Sequence, residues 1–186
     1  AVRGGVKVFG ENYVQDAMEK IEKLPHRKEL NLHFIGRLQK NKAKYAVELF
    51  DMIETVDSIE LAKELSKRTK TKLDILIQVN LSKEETKGGV TENEALNLAR
   101  KIAMLPNLSL RGLMTIPPFF ENPEMARPYF TALRRLAEKI RRENIPGVVM
   151  KELSMGMSND FEVAIEEGAT IISVGTAIFG EREKKG

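Results

Sequence analysis

Strand-like and helix-like segments alternate along the whole chain, and this alternation restricts the fold more than any other feature of the sequence. The strand-like segments are dominated by apolar residues, as at Met52–Val56 and Leu73–Leu81. The segments that follow them carry apolar residues at helical spacing, most clearly at Ile59–Arg68 and Glu92–Leu105. Continuous apolar strands separated by amphipathic helices predict a parallel sheet that is covered by helices.

Such a sheet can stay open and doubly wound, or it can close into a barrel. No G-x-G-x-x-G motif follows the first strand, which counts against a dinucleotide-binding open sheet. Seven strands are predicted, and a (β/α)₈ barrel uses roughly thirty residues for each of its eight units. Ala1–Gly5 read like the tail of a helix with its terminating glycines, so we expect one further unit upstream. The sequence therefore predicts a TIM-type (β/α)₈ barrel, with residues 1–186 forming a single domain that lacks its first β/α unit.

Composition narrows the classes of partner. The 30 basic and 27 acidic side chains leave a net charge of +3, and they are interleaved on helical segments, so we expect neither nucleic acid nor membrane as a partner. No apolar run approaches the ~20 residues of a membrane span, and no signal peptide is visible. Cysteine is absent, and His26 has no partner at ligand spacing, so we expect no disulfide and no metal. These features predict a cytoplasmic protein, and the lack of a large apolar surface stripe predicts a monomer.

Two loops near the end of the chain have the composition of a phosphate site. Barrel enzymes often hold phosphate over the loops after strands seven and eight. Here the first loop, Ser154–Asp160, follows a strand predicted at Val149–Ser154 and precedes a helix predicted from Asn159, so it offers hydroxyl groups and free backbone N–H groups. The second loop contains Gly175 and Thr176, and glycine lets the backbone approach a phosphate. Each loop alone can be explained by a structural role, with Ser158 or Asn159 as a helix N-cap and Gly175 in a tight turn. Their joint position predicts an anion site.

Three residues near the start of the chain are candidates for the same end of the barrel. Asn12 follows the first strand, where it would point to the barrel mouth and could also cap a helix that begins at Tyr13. His33 and Gly36 lie on the next strand and its loop. His33 is either a buried structural histidine or part of the site. A serine-hydrolase site is not expected, because no G-x-S-x-G motif occurs.

Six motifs together resemble a known family in order and spacing. They are Phe9-Gly10-Glu11-Asn12, His33-Phe34-Ile35-Gly36, Gln78-Val79-Asn80, Arg111-Gly112-Leu113-Met114, Leu153-Ser154-Met155-Gly156-Met157-Ser158 and Gly175-Thr176-Ala177-Ile178-Phe179-Gly180. The chain closely resembles the pyridoxal phosphate homeostasis protein family from Gly5 to Glu183. The resemblance implies a barrel like the N-terminal domain of alanine racemase, with pyridoxal 5′-phosphate (PLP) as cofactor. It also implies no settled catalysis, but buffering of PLP or its delivery to PLP-dependent apoenzymes, in the balance of vitamin B6.

The resemblance also implies roles for single residues. The phosphate would lie on Ser154, Gly156, Met157, Ser158, Gly175 and Thr176, with Asn12, His33 and Gly36 around the pyridine ring. The lysine that forms a Schiff base in the family lies on a strand upstream of this chain, so no catalytic residue is predicted here. Ser173 stands where family members usually carry arginine near the pyridine nitrogen, and it would offer only a neutral hydrogen bond.

Two enzyme classes are the alternatives. A PLP-dependent amino-acid racemase of this barrel type uses a second domain to supply an opposing acid–base residue, and the chain ends within a few residues of its last predicted strand. A phosphate-sugar barrel enzyme such as an aldolase would share the phosphate loops. Such an enzyme would also need a strand-end lysine or paired carboxylates at the mouth, and the sequence offers no convincing set. A purely structural role would leave the two loops unexplained.

Overall fold

The computed structural model describes residues 4–21, 23, 27–82, 84 and 87–180, and this part of the chain contains seven strands. The strands are β1 (Val8–Glu11), β2 (Asn31–Phe34), β3 (Met52–Val56), β4 (Leu73–Gln78), β5 (Leu108–Met114), β6 (Val148–Met157) and β7 (Ile171–Ser173). They form one sheet in the order of the sequence, from β1 to β7. Every neighbouring pair is parallel, so the carboxyl ends of all strands meet at one end of the sheet.

Helices connect successive strands, and a further helix follows β7. The connecting helices are α1 (Val14–Ile21), α2 (Ala43–Leu49), α3 (Ile59–Arg68), α4 (Glu92–Ala103), α5 (Arg127–Arg142) and α6 (Phe161–Glu166), and the last helix is α7 (Thr176–Phe179). Short 3₁₀ turns lie at Arg27–Glu29, Lys40–Lys42 and Pro123–Ala126. None of the helices that the structure describes combines the length and the apolar character that a crossing of the bilayer requires.

Both faces of the sheet are buried. Successive residues of a strand point to opposite faces, and each face packs in its own apolar cluster. Ile53 on β3 and Ile75 on β4 belong to the large core between the sheet and its helices. Their neighbours Met52 and Leu76 pack with Met114 in a second, smaller cluster on the other face. A sheet buried on both faces accounts for strands dominated by apolar residues rather than by alternating apolar and polar ones. The second cluster occupies the interior of the barrel.

The predicted and observed elements agree best in the middle of the chain and least near its end. β3 and α3 have the bounds that the sequence predicts. β6, however, continues to Met157 rather than ending at Ser154. Gly156 has a φ of 96°, and the pairing of β6 with β7 shifts register between Ser154 and Met157. This irregularity lets the strand continue through residues that the sequence analysis assigned to a loop.

The N-terminal predictions are tested only from residue 4 onward. The first strand, which Asn12 follows, is observed at Val8–Glu11. α1 begins at Val14, and the carbonyl oxygen of Tyr13 accepts a hydrogen bond from Ala17 N. Tyr13 therefore flanks the helix, and Asn12 lies one residue ahead of it. Residues 1–3, which belong to the predicted upstream helix tail, lie outside the described residues.

Candidate functional site

The loops after β6 and β7 are joined by the hydroxyl group of Ser158. Ser158 Oγ accepts hydrogen bonds from Gly175 N at 3.2 Å and from Ala177 N at 3.3 Å. A methyl group on Gly175 would meet no heavy atom within 4 Å, so the space beside this residue is open. Gly175 and Thr176 are both exposed. The hydrogen of the Ser158 hydroxyl is not used in these two bonds, so it remains available to an anion.

Neither Ser158 nor Asn159 caps the helix that follows β6. The N-cap residue is Asp160, whose Oδ1 accepts a hydrogen bond from Met157 N at 2.7 Å. Asn159 instead donates from Nδ2 to the carbonyl oxygen of Phe120 at 2.9 Å. The N-cap reading of these two residues is therefore wrong. Ser158 connects two loops, while Asp160 orders the end of β6.

Gly156 lies in β6 and allows the strand to pack closely on α6. A methyl group at this position would lie 2.6 Å from the Cβ atom of Ala164, a distance that real Cβ atoms essentially never show. The positive φ of Gly156 is also a conformation that side chains disfavour. Met157, the last residue of the strand, is exposed at the barrel mouth beside this bend. Gly156 therefore sets the direction in which the Ser158 loop leaves the strand.

The loops after β1 and β2 touch through their backbones. A Cβ atom on Gly36 would lie 1.9 Å from the carbonyl oxygen of Asn12, so only glycine fits this approach. The contact is extended by a hydrogen bond from Ile35 N to the carbonyl oxygen of Glu11, at 3.0 Å. Thr55 Oγ1 donates to the carbonyl oxygen of Gly36 at 2.5 Å, which joins β3 to the same corner. Asn12 and Gly36 thus belong to one rigid corner of the mouth.

Three polar side chains form a buried network in the interior of the barrel. Ser154 Oγ donates to Glu54 Oε2 at 2.5 Å, and His33 Nδ1 lies 2.6 Å from Glu54 Oε1. Glu54 is 1% exposed, and the other two residues are nearly as buried. Within the described part of the chain, His33 Nε2 is buried without a hydrogen-bond partner.

Glu54 is a residue that the sequence analysis missed. An acidic side chain within the apolar run Met52–Val56 was the available signal, because a buried carboxylate requires hydrogen-bond partners. The network also changes the position of Ser154, which the sequence analysis placed in the phosphate loop. Its hydroxyl hydrogen is directed to Glu54 in the barrel interior, away from the role of a donor to a phosphate.

Ser173 ends β7 and lies opposite Met157 in the pairing of β6 with β7. The residue is half-buried. The candidate residues thus fall into three groups around one end of the barrel. Ser158, Gly175 and Thr176 form the loop pair, Asn12 and Gly36 form the opposite corner, and His33 with Ser154 lies below them in the interior. Among the residues that the structure describes, no cluster of three or more His, Asp or Glu side chains could hold a metal ion.

Comparison with known proteins identifies the family. The family model described as "Alanine racemase, N-terminal domain" matches residues 1–183. The Pyridoxal phosphate homeostasis protein of Aquifex aeolicus is 51% identical over 184 residues, covering 96% of this chain and 78% of the relative. The chain belongs to the pyridoxal phosphate homeostasis protein family. The protein of the same name from Escherichia coli K12 is 40% identical over 195 residues, covering 98% of this chain and 79% of the relative.

Solved structures of similar proteins have the same fold as the chain. PipY of Synechococcus elongatus without PLP superposes with a TM-score of 0.89 at 36% identity, covering 97% of this chain and 85% of PipY. PipY with PLP bound superposes with a TM-score of 0.86 at 35% identity, covering 97% and 84%. Alanine racemase of Clostridium difficile has a TM-score of 0.76 at 14% identity, covering 97% of this chain and 46% of the racemase, which shows the fold alone. The predicted family and the predicted alanine racemase-like barrel are confirmed.

Proposed function

We propose that this chain is a PLP-binding protein of vitamin B6 homeostasis, without a dedicated substrate site. The observation that carries the proposal is the pair of loops joined by Ser158, with open space beside Gly175, in a chain that is similar to PipY, whose structure is known with PLP bound. When bound, PLP supplies an aldehyde that reacts with amines. The described residues supply recognition of its phosphate and surroundings for its ring.

The phosphate group would lie between the two joined loops. Ser158 and Thr176 each offer a hydroxyl donor, and Gly175 allows a phosphate oxygen to approach the backbone. Gly156 and Met157 would contribute by aiming the Ser158 loop, while the hydroxyl of Ser154 supports the interior instead. Hydrogen bonds to charged groups are worth more than neutral ones, so a few such donors suffice for retention of a phosphate.

The pyridine ring would lie toward the corner formed by Asn12 and Gly36, with His33 and Ser173 at its edge. His33 Nε2 is buried and has no hydrogen-bond partner among the described residues, which fits a ligand that brings a hydrogen-bond donor. Ser173 offers a neutral hydroxyl group rather than a charge. The phosphate loops therefore contribute most of the affinity in this proposal, and the ring contacts adjust it.

We propose further that the chain acts as a cytoplasmic monomer, with residues 1–186 as one barrel domain, and that PLP-dependent apoenzymes receive the cofactor. Light scattering of the purified chain measures the oligomeric state directly. Delivery is measured by the rate at which a PLP-dependent apoenzyme regains activity from the loaded protein, compared with free PLP at the same concentration. A higher rate from the loaded protein supports delivery by contact.

The phosphate site is tested by the double variant Ser158→Ala with Thr176→Ala. Equilibrium dialysis with pyridoxamine 5′-phosphate measures phosphate recognition without the aldehyde. Two lost hydrogen bonds to a charged group are expected to weaken binding by roughly a hundredfold or more. The matched control is Thr71→Ala with Ser109→Ala, which removes two hydroxyl groups near the amino ends of β4 and β5, at the opposite end of the barrel.

Equal retention of pyridoxamine 5′-phosphate by the double variant and the wild type would overturn the site assignment. Pyridoxamine, which lacks the phosphate, is the matched ligand control. Wild-type protein is expected to bind it far more weakly than the phosphorylated form. Equal binding of the two compounds would show that the phosphate contributes nothing, and the proposed function would then lose its basis.

A further inference from the structure

Glu54 joins its own strand to one adjacent strand and to one strand across the barrel. It lies on β3 and contacts His33 on β2, the adjacent strand, and Ser154 on β6, three strands away in the sheet order. All three side chains are at least nine-tenths buried. One carboxylate therefore connects the first half of the barrel to the second half through the interior. A buried group in this position must have its hydrogen bonds satisfied, and both of its oxygens have a partner.

The same network determines which nitrogen of His33 carries the hydrogen. In the ionised form of Glu54 both carboxylate oxygens can only accept, so the Ser154 hydroxyl donates to Oε2 and His33 Nδ1 donates to Oε1. In a singly protonated imidazole the lone pair then lies on Nε2. Nε2 is buried, and no other described residue offers it a hydrogen. An oriented acceptor without a partner is costly to bury, which indicates that a donor from beyond the described residues meets it.

The position of His33 places this acceptor next to the candidate site. His33 is the last residue but one of β2, and Ile35 and Gly36 follow at the mouth. Ser154 lies on the strand that ends at Met157 and leads directly to Ser158. The buried network therefore lies in the layer of the barrel just below the loops proposed to hold phosphate.

We propose that His33 Nε2 accepts a hydrogen bond from the ring of the bound vitamin B6 compound, and that Glu54 is the positioning residue that orients it. The donor would be a hydroxyl or N–H group of the pyridine ring. This inference rests on the proposed function and deepens it, since it assigns ring recognition to a residue pair separate from the phosphate loops. An internal water molecule could supply the same kind of donor, and the experiment below separates the two sources.

Nitrogen-15 NMR of labelled histidine tests the inference, because the chain has two histidines and His26→Gln leaves His33 as the single signal. The free protein is expected to show a hydrogen on His33 Nδ1 and a bare Nε2. Pyridoxamine 5′-phosphate should shift the Nε2 resonance in the direction of an accepted hydrogen bond. Inorganic phosphate, which occupies the loops without a ring, should leave it unchanged. The inference would be overturned if the Nε2 resonance shifts with neither compound, or by the same amount with both.

Two variants test the positioning role of Glu54. Glu54→Met removes the acceptor while keeping a side chain that can pack beside Met52, and the hydrogen on His33 is then expected to distribute over both nitrogens. Ser154→Ala leaves the bond between Glu54 and His33 in place, so the Nδ1–H signal should persist. Retention of a pure Nδ1–H form in Glu54→Met would show that Glu54 does not orient His33.

The variant His33→Asn measures the contribution to affinity. Its amide can reach the position of Nδ1 and keep the bond to Glu54, but it has no atom at the position of Nε2. Affinity for pyridoxamine 5′-phosphate is expected to fall about three- to tenfold, with the affinity for inorganic phosphate unchanged. If the variant and the wild type bind each compound with equal affinity, the ring contact is refuted and the proposed function is not affected. Absence of binding of either compound to the wild type would refute the proposed function itself.

Discussion

At the scale of single residues, two close backbone approaches decide which side chains the barrel tolerates. A Cβ atom on Gly112 would lie 1.8 Å from the carbonyl oxygen of Glu152, where β5 pairs with β6. The corresponding distance from Gly36 to the carbonyl oxygen of Asn12 is 1.9 Å. In both cases the obstacle is backbone, which cannot rotate away as a side chain can. Any larger residue must therefore separate two elements of the structure.

Gly112→Ala is expected to lower the free energy of unfolding by about 3 kcal/mol, because β5 and β6 must move apart to admit the methyl group. Chemical denaturation monitored by circular dichroism measures this change. Gly175→Ala is the matched control, since its methyl group would meet open space and its φ of −112° suits any residue. A Gly112→Ala protein as stable as the Gly175→Ala protein would contradict the packing at β5 and β6.

The sequence predicts some residue contacts of the site better than others. Ser158 and Gly175 follow adjacent strands of a parallel sheet, so their loops are expected to be neighbours, and the structure joins them by a hydrogen bond. The contact of Glu54 with Ser154 has no such basis. It crosses the barrel between strands that are not adjacent, and it depends on the reach of one side chain.

At the scale of elements, local signals account for the best and the worst predictions. α3 begins after Ser58, whose hydroxyl oxygen accepts a hydrogen bond from Leu61 N at 3.3 Å, and such an N-cap can be read from sequence. The end of β6 could not be read in this way. Gly156 suggests a turn, but its positive φ is accommodated within the strand where the register shifts. The difference depends on packing against α6, which is a tertiary contact.

The helices α5 and α6 are connected by a network of charged side chains on the surface. Arg127 contacts Glu124, Glu166 and Glu167, and Arg134 also contacts Glu167. The pKa of Glu167 lies below its usual value, because the hydrogen bond from the Thr131 hydroxyl, followed by those from Arg127 and Arg134, outweighs the effect of burial. Glu167 flanks the carboxyl end of α6, the helix that follows the Ser158 loop.

Glu167→Gln is expected to reduce the free energy of unfolding at neutral pH by about 1 kcal/mol or less. A carboxyl group whose pKa is lowered by folding stabilises the protein above its unfolded pKa, and this contribution is lost as pH falls through the folded pKa. The difference between wild type and variant should therefore shrink below about pH 4. Unfolding curves measured from neutral to acidic pH test this. Glu162→Gln, an exposed substitution on the same helix, should show no such convergence, and a convergence of equal size would contradict the role of Glu167.

At the scale of the whole molecule, the fold follows from the alternation of strands and helices, because each strand and its helix form a local unit whose pattern is visible in the sequence. The parallel order from β1 to β7 repeats this unit. The interior of the barrel is different, since its apolar cluster of Met52, Leu76 and Met114 and its polar network bring together residues far apart in the chain. The architecture could therefore be predicted from the sequence, whereas the interior link through Glu54 could not.

The position of a bound phosphorylated vitamin B6 compound tests the central claim most directly. A crystal structure of the chain grown with pyridoxamine 5′-phosphate is expected to show the phosphate beside Gly175, within hydrogen-bond distance of the Ser158 and Thr176 hydroxyl groups. The pyridine ring should extend toward His33. Phosphate density at another part of the surface, or a ring that points away from the barrel interior, would contradict the account.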